Sequence, residues 1–338
     1  MTHEFKHIIQ ETLKAKANGL KAVLASVVDL EGSSYRRPGV RMLILEGNVL
    51  VGAVSGGCVE KEIVLQAQSV FKTGQSKMMT YDGRYRLGCE GVLYILLEEL
   101  KFETTFETAF LNCLKDRKSF EVISNYKKAA GVFTGIGSEV NIGGDSFSIS
   151  ERNSEISDGL ICRQNMPSCF KLIIIGAEHD AVQLCKYAAL TGWEVTIVAG
   201  LSEAKTVDYF EGAQNLIATT PEHLDVSKID DQTAIVLMTH NFAYDLRYLV
   251  ALQHTTPNYI GLLGPTKRRE DLLSQCIEYC PELSDNFLNI IHGPAGLDIG
   301  SETPQEIAIA IVSEILAVTR NRNGLPLSQK TGRIHHKN

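Results

Sequence analysis

The second half of the chain contains a continuous apolar run, residues 171–175 (Lys-Leu-Ile-Ile-Ile), that ends directly in a glycine. This composition predicts a buried strand followed by a tight turn. Further apolar runs follow it, separated by stretches with helical spacing. The predicted strands are 194–198, 215–218, 233–238 and 259–263, and the predicted helices are 182–189, 243–254, 266–279 and 303–320. Such an alternation predicts parallel strands joined by right-handed helical crossovers.

This α/β pattern predicts a C-terminal Rossmann-like parallel-sheet domain. Domains of this kind that bind dinucleotides usually carry a sequence fingerprint. That fingerprint is Gly-x-Gly-x-x-Gly/Ala, with an acidic residue about 20 positions further on. Glu178 stands where the second glycine would admit a pyrophosphate, and the next strand ends at Ala199 without a carboxylate. The sequence therefore argues against standard NAD(P) binding. An NAD(P)-dependent oxidoreductase remains the alternative function.

Polar, glycine-rich loops follow the predicted strands, at the edge where open α/β sheets bind ligands. His179 follows the first of these strands, His240 and Gly264 follow two others, and Asp298 precedes the last long helix. We predict that these four residues line a binding cleft. The alternative for each histidine is a structural role within a hydrogen-bonded network.

The first half of the chain mixes helices and strands and contains a cysteine in a glycine-rich turn. In the stretch 52–60, Gly-Ala-Val-Ser-Gly-Gly-Cys-Val-Glu, the residues Gly56 and Gly57 precede Cys58, and a helical segment, 63–71, follows. A helix that begins here directs free N–H groups and the positive end of its dipole at the thiol, which favours the thiolate. The alternative is a small buried side chain.

A second cysteine and three arginines are the other candidate site residues of this half. Cys89 lies in the turn Leu-Gly-Cys before an apolar strand, so it could converge with the first cysteine. Arg36 and Arg37 lie in a polar loop, and Arg41 lies just inside the following strand. Arginines suit phosphate oxygens, and a solvated turn is the alternative for this loop.

The composition is that of an ordinary globular protein of 338 residues, with 44% hydrophobic and 22% charged residues. A net charge of −7 argues against nucleic-acid binding. We expect no membrane span and no signal peptide, because no apolar run is long enough. The eight cysteines are scattered and contain no Cys-x-x-Cys pair, which favours free thiols in the cytoplasm.

The chain resembles the XdhC/CoxI family of accessory factors for xanthine dehydrogenase and related molybdenum hydroxylases. The motifs that carry the resemblance run in the family's order along nearly the whole chain. They are 36–42 (Arg-Arg-Pro-Gly-Val-Arg-Met), 52–60, 87–89, 176–179 (Gly-Ala-Glu-His), 192–196, 237–240 (Leu-Met-Thr-His), 259–264, and 294–300 (Pro-Ala-Gly-Leu-Asp-Ile-Gly) with Thr303-Pro304. The resemblance implies an N-terminal α+β domain of the XdhC type, residues 1–160, and a C-terminal Rossmann-like domain, residues 168–322, followed by a tail, 323–338.

The resemblance also implies a function, that of a chaperone rather than an enzyme with its own substrate. Such a protein binds and protects molybdenum cofactor (molybdopterin), supports its sulfuration and inserts it into an apo-enzyme. The implied partners are a molybdenum hydroxylase of the xanthine dehydrogenase type, a cysteine desulfurase and further copies of the chain. Cys58 and Cys89 match the cysteines proposed to hold the cofactor, whereas Glu178 departs from the family's Gly-x-Gly-His. A scaffold that joins the desulfurase to the dehydrogenase is a third hypothesis.

Overall fold

A computed structural model describes residues 1–32, 37–55, 57–85, 91–151 and 158–329. The chain divides into two compact units, Met1–Ser168 and Cys169–Asn338. The N-terminal unit contains helices α1 (Thr2–Ala17), α2 (Cys58–Thr73) and α3 (Thr104–Lys115), and strands β1 (Ala22–Glu31), β2 (Arg41–Leu45), β3 (Leu50–Gly52), β4 (Lys77–Asp82), β5 (Val92–Glu99), β6 (Phe120–Tyr126), β7 (Gly131–Val132), β8 (Gly137–Ile142), β9 (Asp145–Ser148) and β10 (Leu160–Met166).

The N-terminal unit is built on two antiparallel sheets. Their strand orders are β3-β2-β1-β5-β4-β7 and β10-β6-β8-β9. The first sheet is buried on both faces, which explains the continuous apolar run of β5. Helix α2 packs through Ile63 and Ala67 against one face. On the other face, α1 and α3 bring Phe5 and Phe110 together with their ring centroids 5.9 Å apart.

One segment matches its sequence-based interpretation only in part. Residues 150–169 are polar and carry turn residues, so the sequence predicts a linker or a domain boundary there. The boundary between the two units lies inside this stretch, after Ser168, but residues 160–166 form strand β10, which pairs along its whole length with β6. Its exposed residues alternate with less exposed ones, because an edge strand with one solvated face needs no continuous apolar run.

The C-terminal unit is a parallel sheet with helices. It contains strands β11 (Lys171–Ile175), β12 (Glu194–Ala199), β13 (Ala213–Ala218), β14 (Thr233–Leu237), β15 (Tyr259–Leu262) and β16 (Ile291–His292), and helices α4 (His179–Leu190), α5 (Phe242–Leu252), α6 (Thr266–Tyr279), α7 (Asp285–Asn289) and α8 (Pro304–Thr319). The strand order is β13-β12-β11-β14-β15-β16, and the neighbours are parallel. The predicted C-terminal Rossmann-like domain is therefore confirmed.

The strand order in the C-terminal unit reverses between β11 and β14. The chain proceeds from β11 outward to β12 and β13, then returns to β14 on the other side of β11. Open α/β sheets bind ligands in the crevice at such a reversal, outside the carboxyl ends of the strands. Among the helices of the described ranges, none is long and apolar enough to cross a membrane.

Candidate functional site

Helix α2 begins at Cys58, and a carboxylate of its first turn fixes the backbone before it. Glu60 accepts hydrogen bonds from Gly57 N (2.7 Å) and the Ser55 hydroxyl (3.1 Å), and also from Ser55 N. Burial raises the pKa of Glu60, but these hydrogen bonds outweigh it, and the net shift is downward. The ionised carboxylate therefore holds the turn that carries the cysteine. Gly56 and the Cys58 side chain lie outside the described structure.

The first sheet brings both cysteine-bearing loops to one of its ends. Strand β3 finishes there at Gly52, and the chain leaves β4 and enters β5 at the same end, because neighbouring strands are antiparallel. A hydrogen bond of 3.0 Å from Gly83 N to Gly91 O closes the base of the second loop. Cys89 lies within that loop and outside the described residues. The convergence of the two thiols stays a prediction.

The predicted arginines have different surroundings. Arg36 lies outside the described residues, and Arg37 is exposed. Arg41 is buried in β2, where Nη1 donates to Gln164 Oε1 (2.5 Å) and the guanidinium lies 5.3 Å from the centre of the Phe5 ring. Burial lowers the pKa of Arg41 to about 10. Its described contacts are with protein groups, so its role as a phosphate ligand stays a prediction.

The C-terminal sheet brings the other four predicted residues to one edge. His179 begins α4 after β11, and His240 follows β14. Gly264 and Asp298 lie after β15 and β16, on the same side of the sheet. These strands are parallel neighbours, so their carboxyl ends share this edge. The side chains of His179, His240 and Asp298 are exposed there.

The backbone at the strand reversal is tightly packed close to His240. His240 Nε2 lies 3.6 Å from Asp180 Oδ2 on α4, so the loop after β14 meets the start of α4. Gly176, at the end of β11, has a φ of +139°. A Cβ at this position would overlap the carbonyl oxygen of Met238. The first glycine of the loop therefore permits close approach of two backbone segments.

We predict that Gly176→Ala lowers the free energy of unfolding by about 2 kcal/mol, because it adds both an unfavourable φ and a backbone clash. Gly200→Ala is the matched control, since Gly200 also follows a strand of this sheet and a Cβ there meets open space. Urea unfolding of both variants measures the difference. Equal midpoints for the two variants would contradict the packing described for Gly176.

A buried carboxylate that the sequence did not single out organises the loops around His240 and Gly264. Asp245, on α5, is 2% exposed and accepts hydrogen bonds from the Thr239 hydroxyl (2.6 Å) and from Arg268 Nη2 (2.7 Å). A Cβ on Gly264 would lie 2.6 Å from Arg268 Cδ, so the absent side chain leaves room for that arginine. Asp245 therefore ties the end of β14 to the start of α6.

Glu314, on α8, fixes the loop that carries Asp298. Its carboxylate accepts hydrogen bonds from the Tyr259 hydroxyl (2.5 Å) and Gly296 N (2.7 Å), and it lies 3.3 Å from His292 Nδ1. Burial raises the pKa of Glu314, but the contacts with His292 and Tyr259 outweigh it, and the net shift is downward. The ionised group joins β15, β16 and α8. No sequence pattern marks it, because its partners come from separate elements.

Several of the thiols that the structure describes have a pKa above that of a free thiol. Burial raises the pKa of Cys185 and of Cys276 to about 11. Burial also raises the pKa of Cys162, and the nearby charge of Arg41 partly offsets this. In the described part of the chain, no group of three or more His, Cys, Asp or Glu side chains could hold a metal ion.

Two family models and several known proteins are similar to this chain. A model of the XdhC and CoxI family matches residues 15–82, and a model of the XdhC Rossmann domain matches residues 172–315. A Bacillus subtilis (strain 168) protein named as a probable xanthine dehydrogenase subunit is 27% identical over 89% of this chain and 94% of its own length. The Escherichia coli (strain K12) molybdenum cofactor insertion chaperone PaoD is 23% identical over 94% of this chain and 90% of its own length.

A crystal structure of a Bacillus halodurans protein described as a xanthine dehydrogenase has the same fold, with a TM-score of 0.77 and 24% identity. The structural match covers 95% of this chain and 98% of the Bacillus halodurans chain. Fold and site together define a two-unit α/β protein whose C-terminal unit is a Rossmann domain. The chain belongs to the XdhC and CoxI family, as the sequence motifs predict.

Proposed function

We propose that this protein binds molybdenum cofactor as cargo, protects it and inserts it into an apo-enzyme of the xanthine dehydrogenase type. The observation that carries the proposal is the match, over nearly the full length of both chains, to a relative named as a molybdenum cofactor insertion chaperone. The relative named as a probable xanthine dehydrogenase subunit supports the choice of client.

Within this proposal, Cys58 and Cys89 hold the cargo, since soft thiolates suit molybdenum. The start of α2 at Cys58 favours ionisation of its thiol, through the free N–H groups and the dipole of the helix. By contrast, the raised pKa values of Cys162, Cys185 and Cys276 make these thiols weaker candidates. Arg36, Arg37 and Arg41 are the proposed phosphate contacts, among which Arg41 would need to exchange its present partner.

The test is retention of released molybdenum cofactor by the purified protein. We expect Cys58→Ala and Cys89→Ala each to lower retention about tenfold or more, because each removes a ligand. Cys162→Ala is the matched control, a thiol in the same unit with a raised pKa, and it should retain as much as the wild type. Equal retention by all of these proteins would remove the two cysteines from the mechanism. No retention by the wild type would overturn the proposed function.

The Rossmann unit supplies the second part of the proposal. His179, His240, Gly264 and Asp298 share one sheet edge, and we assign to them contacts with the cargo or the client enzyme. Support of sulfuration through a cysteine desulfurase, self-association of the chain and action in the cytoplasm complete the proposal. Pull-downs with and without cofactor separate cofactor transfer from a pure scaffold role.

A nucleotide-dependent oxidoreductase is the second candidate, because the Rossmann sheet has its strand reversal at Gly176. Against it, the exposed Glu178 precedes α4, and β12 ends at Ala199 without a carboxylate for a ribose. Calorimetry with NAD(H) and NADP(H) distinguishes the two functions. Micromolar binding would favour the oxidoreductase, and the absence of heat at millimolar nucleotide would exclude it.

A further inference from the structure

A cleft of about 400 Å³ lies in the N-terminal unit, at the end of the first sheet where β1 begins and β5 ends. This volume is within the usual range for small-molecule sites. The cleft is at the opposite end of the sheet from the cysteine-bearing loops, near the C-terminal end of α2. Because α2 has 16 residues, its two ends are about 24 Å apart. One small ligand therefore cannot contact both Cys58 and this cleft.

A buried carboxylate with an unused hydrogen-bonding oxygen lines the cleft. Glu99, the last residue of β5, is 4% exposed, and its Oε2 has no hydrogen-bond partner. Lys101 Nζ lies 3.4 Å from Oε2 as an ion pair, without the geometry of a hydrogen bond. A buried acceptor without a donor costs about 1–3 kcal/mol, so such groups usually have a partner. Glu99 Oε2 can therefore accept a hydrogen bond from an N–H group of a ligand.

Gly74 helps to keep this oxygen open. It ends α2 in the left-handed conformation, with a φ of +71°. A Cβ on Gly74 would lie 3.3 Å from Glu99 Oε2 and 3.5 Å from Lys101 Nζ. The space beside the carboxylate and the ammonium is thus free of side-chain atoms from this helix end.

Ammonium groups line the same cleft. Lys16 donates to Glu107 (2.8 Å), and Lys21 donates to the Phe71 carbonyl oxygen (2.9 Å) at the end of α2. Both side chains keep further donors, because an ammonium group carries three N–H bonds. Together with the ammonium of Lys101, they offer an anion several donors within one small volume.

We propose that this cleft binds a small zwitterion, a molecule that carries an amine together with a phosphate or carboxylate. The amine would donate to Glu99 Oε2, and the anionic group would accept from the lysines. A ligand with both groups adds a donor for the buried carboxylate and an acceptor for the ammonium groups at once. The site is separate from the proposed cofactor site, so the two can fail independently.

Calorimetry with phosphoethanolamine tests the proposal, with inorganic phosphate and ethanolamine as the two halves of the probe. The wild type should bind phosphoethanolamine about tenfold or more tightly than either half. Glu99→Gln and Lys21→Met should each lower that affinity about tenfold. Glu103→Gln is the matched control, an exposed carboxylate on the same cleft, and it should change the affinity less than about threefold.

Thermal unfolding separates a ligand role from a structural one. Glu99→Gln should stay close to the wild type in stability without ligand, because the loss of its ion pair with Lys101 is offset by the removal of a buried charge. A lower melting temperature for Glu99→Gln would assign the carboxylate to folding and overturn the proposal. Binding of phosphoethanolamine no tighter than that of its halves would also overturn it. Cys58→Ala should bind the probe as the wild type does, and loss of binding there would contradict two separate sites.

Discussion

Replacement of Asp245 with alanine is expected to lower the free energy of unfolding of the C-terminal unit by about 3–5 kcal/mol. The carboxylate is 2% exposed and bonded to the Thr239 hydroxyl and to Arg268. Its removal leaves the half-buried Arg268 guanidinium and the half-buried Thr239 hydroxyl without this partner. The measurement is urea unfolding followed by far-UV circular dichroism.

A double-mutant cycle identifies the interaction that is lost. Arg268→Ala together with Asp245→Ala should cost less than the sum of the two single changes, since the second change removes the charge that the first leaves unpaired. Asp231→Ala is the control, an exposed carboxylate in the same unit, with an expected change within about 0.5 kcal/mol. Strict additivity of the two single changes would show that the buried pair contributes nothing.

Asp245 also connects stability to the candidate site. It joins Thr239, the residue before His240, to Arg268, whose side chain occupies the space beside Gly264. The surroundings of His240 and Gly264, which the sequence predicts as site residues, thus depend on Asp245, which the sequence does not single out. Asp245→Asn is expected to keep the fold better than the alanine variant, because an amide retains one acceptor for the Thr239 hydroxyl. The asparagine variant is therefore the one to compare with the wild type in a cofactor-transfer assay.

The Rossmann fold was predictable because its signal is repeated along the chain. The strands β11, β14 and β15 are buried on both faces and consist of nearly continuous apolar runs, and a segment with helical spacing follows each of them. The edge strand β10 was not predictable by this rule. It contains exposed polar residues and owes its conformation to pairing with β6.

The candidate site was predictable only in part, for a physical reason. Glycine-rich turns and strand ends leave a mark in the sequence, so His179, His240 and Gly264 could be placed at one edge before the fold was known. Buried hydrogen-bonded carboxylates leave no such mark. Glu314 and Asp245 contact residues far away in the sequence, and any exposed glutamate or aspartate would look the same.

A fully buried carboxylate between the two sheets of the N-terminal unit has a further consequence, a dependence of stability on pH. Glu98 is 0% exposed and accepts hydrogen bonds from Ser138 N (2.8 Å), the Ser138 hydroxyl (2.6 Å) and the Ser150 hydroxyl (2.6 Å). Burial raises its pKa, and the hydrogen bonds from the two serines and the charge of Arg41 only partly offset this. The folded protein thus favours the neutral carboxyl.

The sign of the effect follows from this upward shift. The ordinary pKa of Glu98 is 4.5, so the unfolded chain loses this proton at a lower pH than the folded protein. The stability that the neutral group contributes is fully present below pH 4.5 and is lost as pH rises through the folded pKa. Glu98→Gln removes this titration. We therefore expect the melting temperature of Glu98→Gln to rise relative to that of the wild type as the pH increases above 4.5.

The amide of Glu98→Gln can satisfy the same partners. Its oxygen accepts from Ser138 N and Ser150, while its NH₂ donates to the Ser138 hydroxyl, which turns toward Ser124 Oγ at 2.8 Å. Glu98→Ala instead leaves buried donors and a cavity, at an expected cost of about 3 kcal/mol or more. Differential scanning calorimetry across the pH range measures both variants. Parallel pH profiles for the wild type and Glu98→Gln would show that Glu98 does not titrate in this window, because Gln removes no other ionisable group.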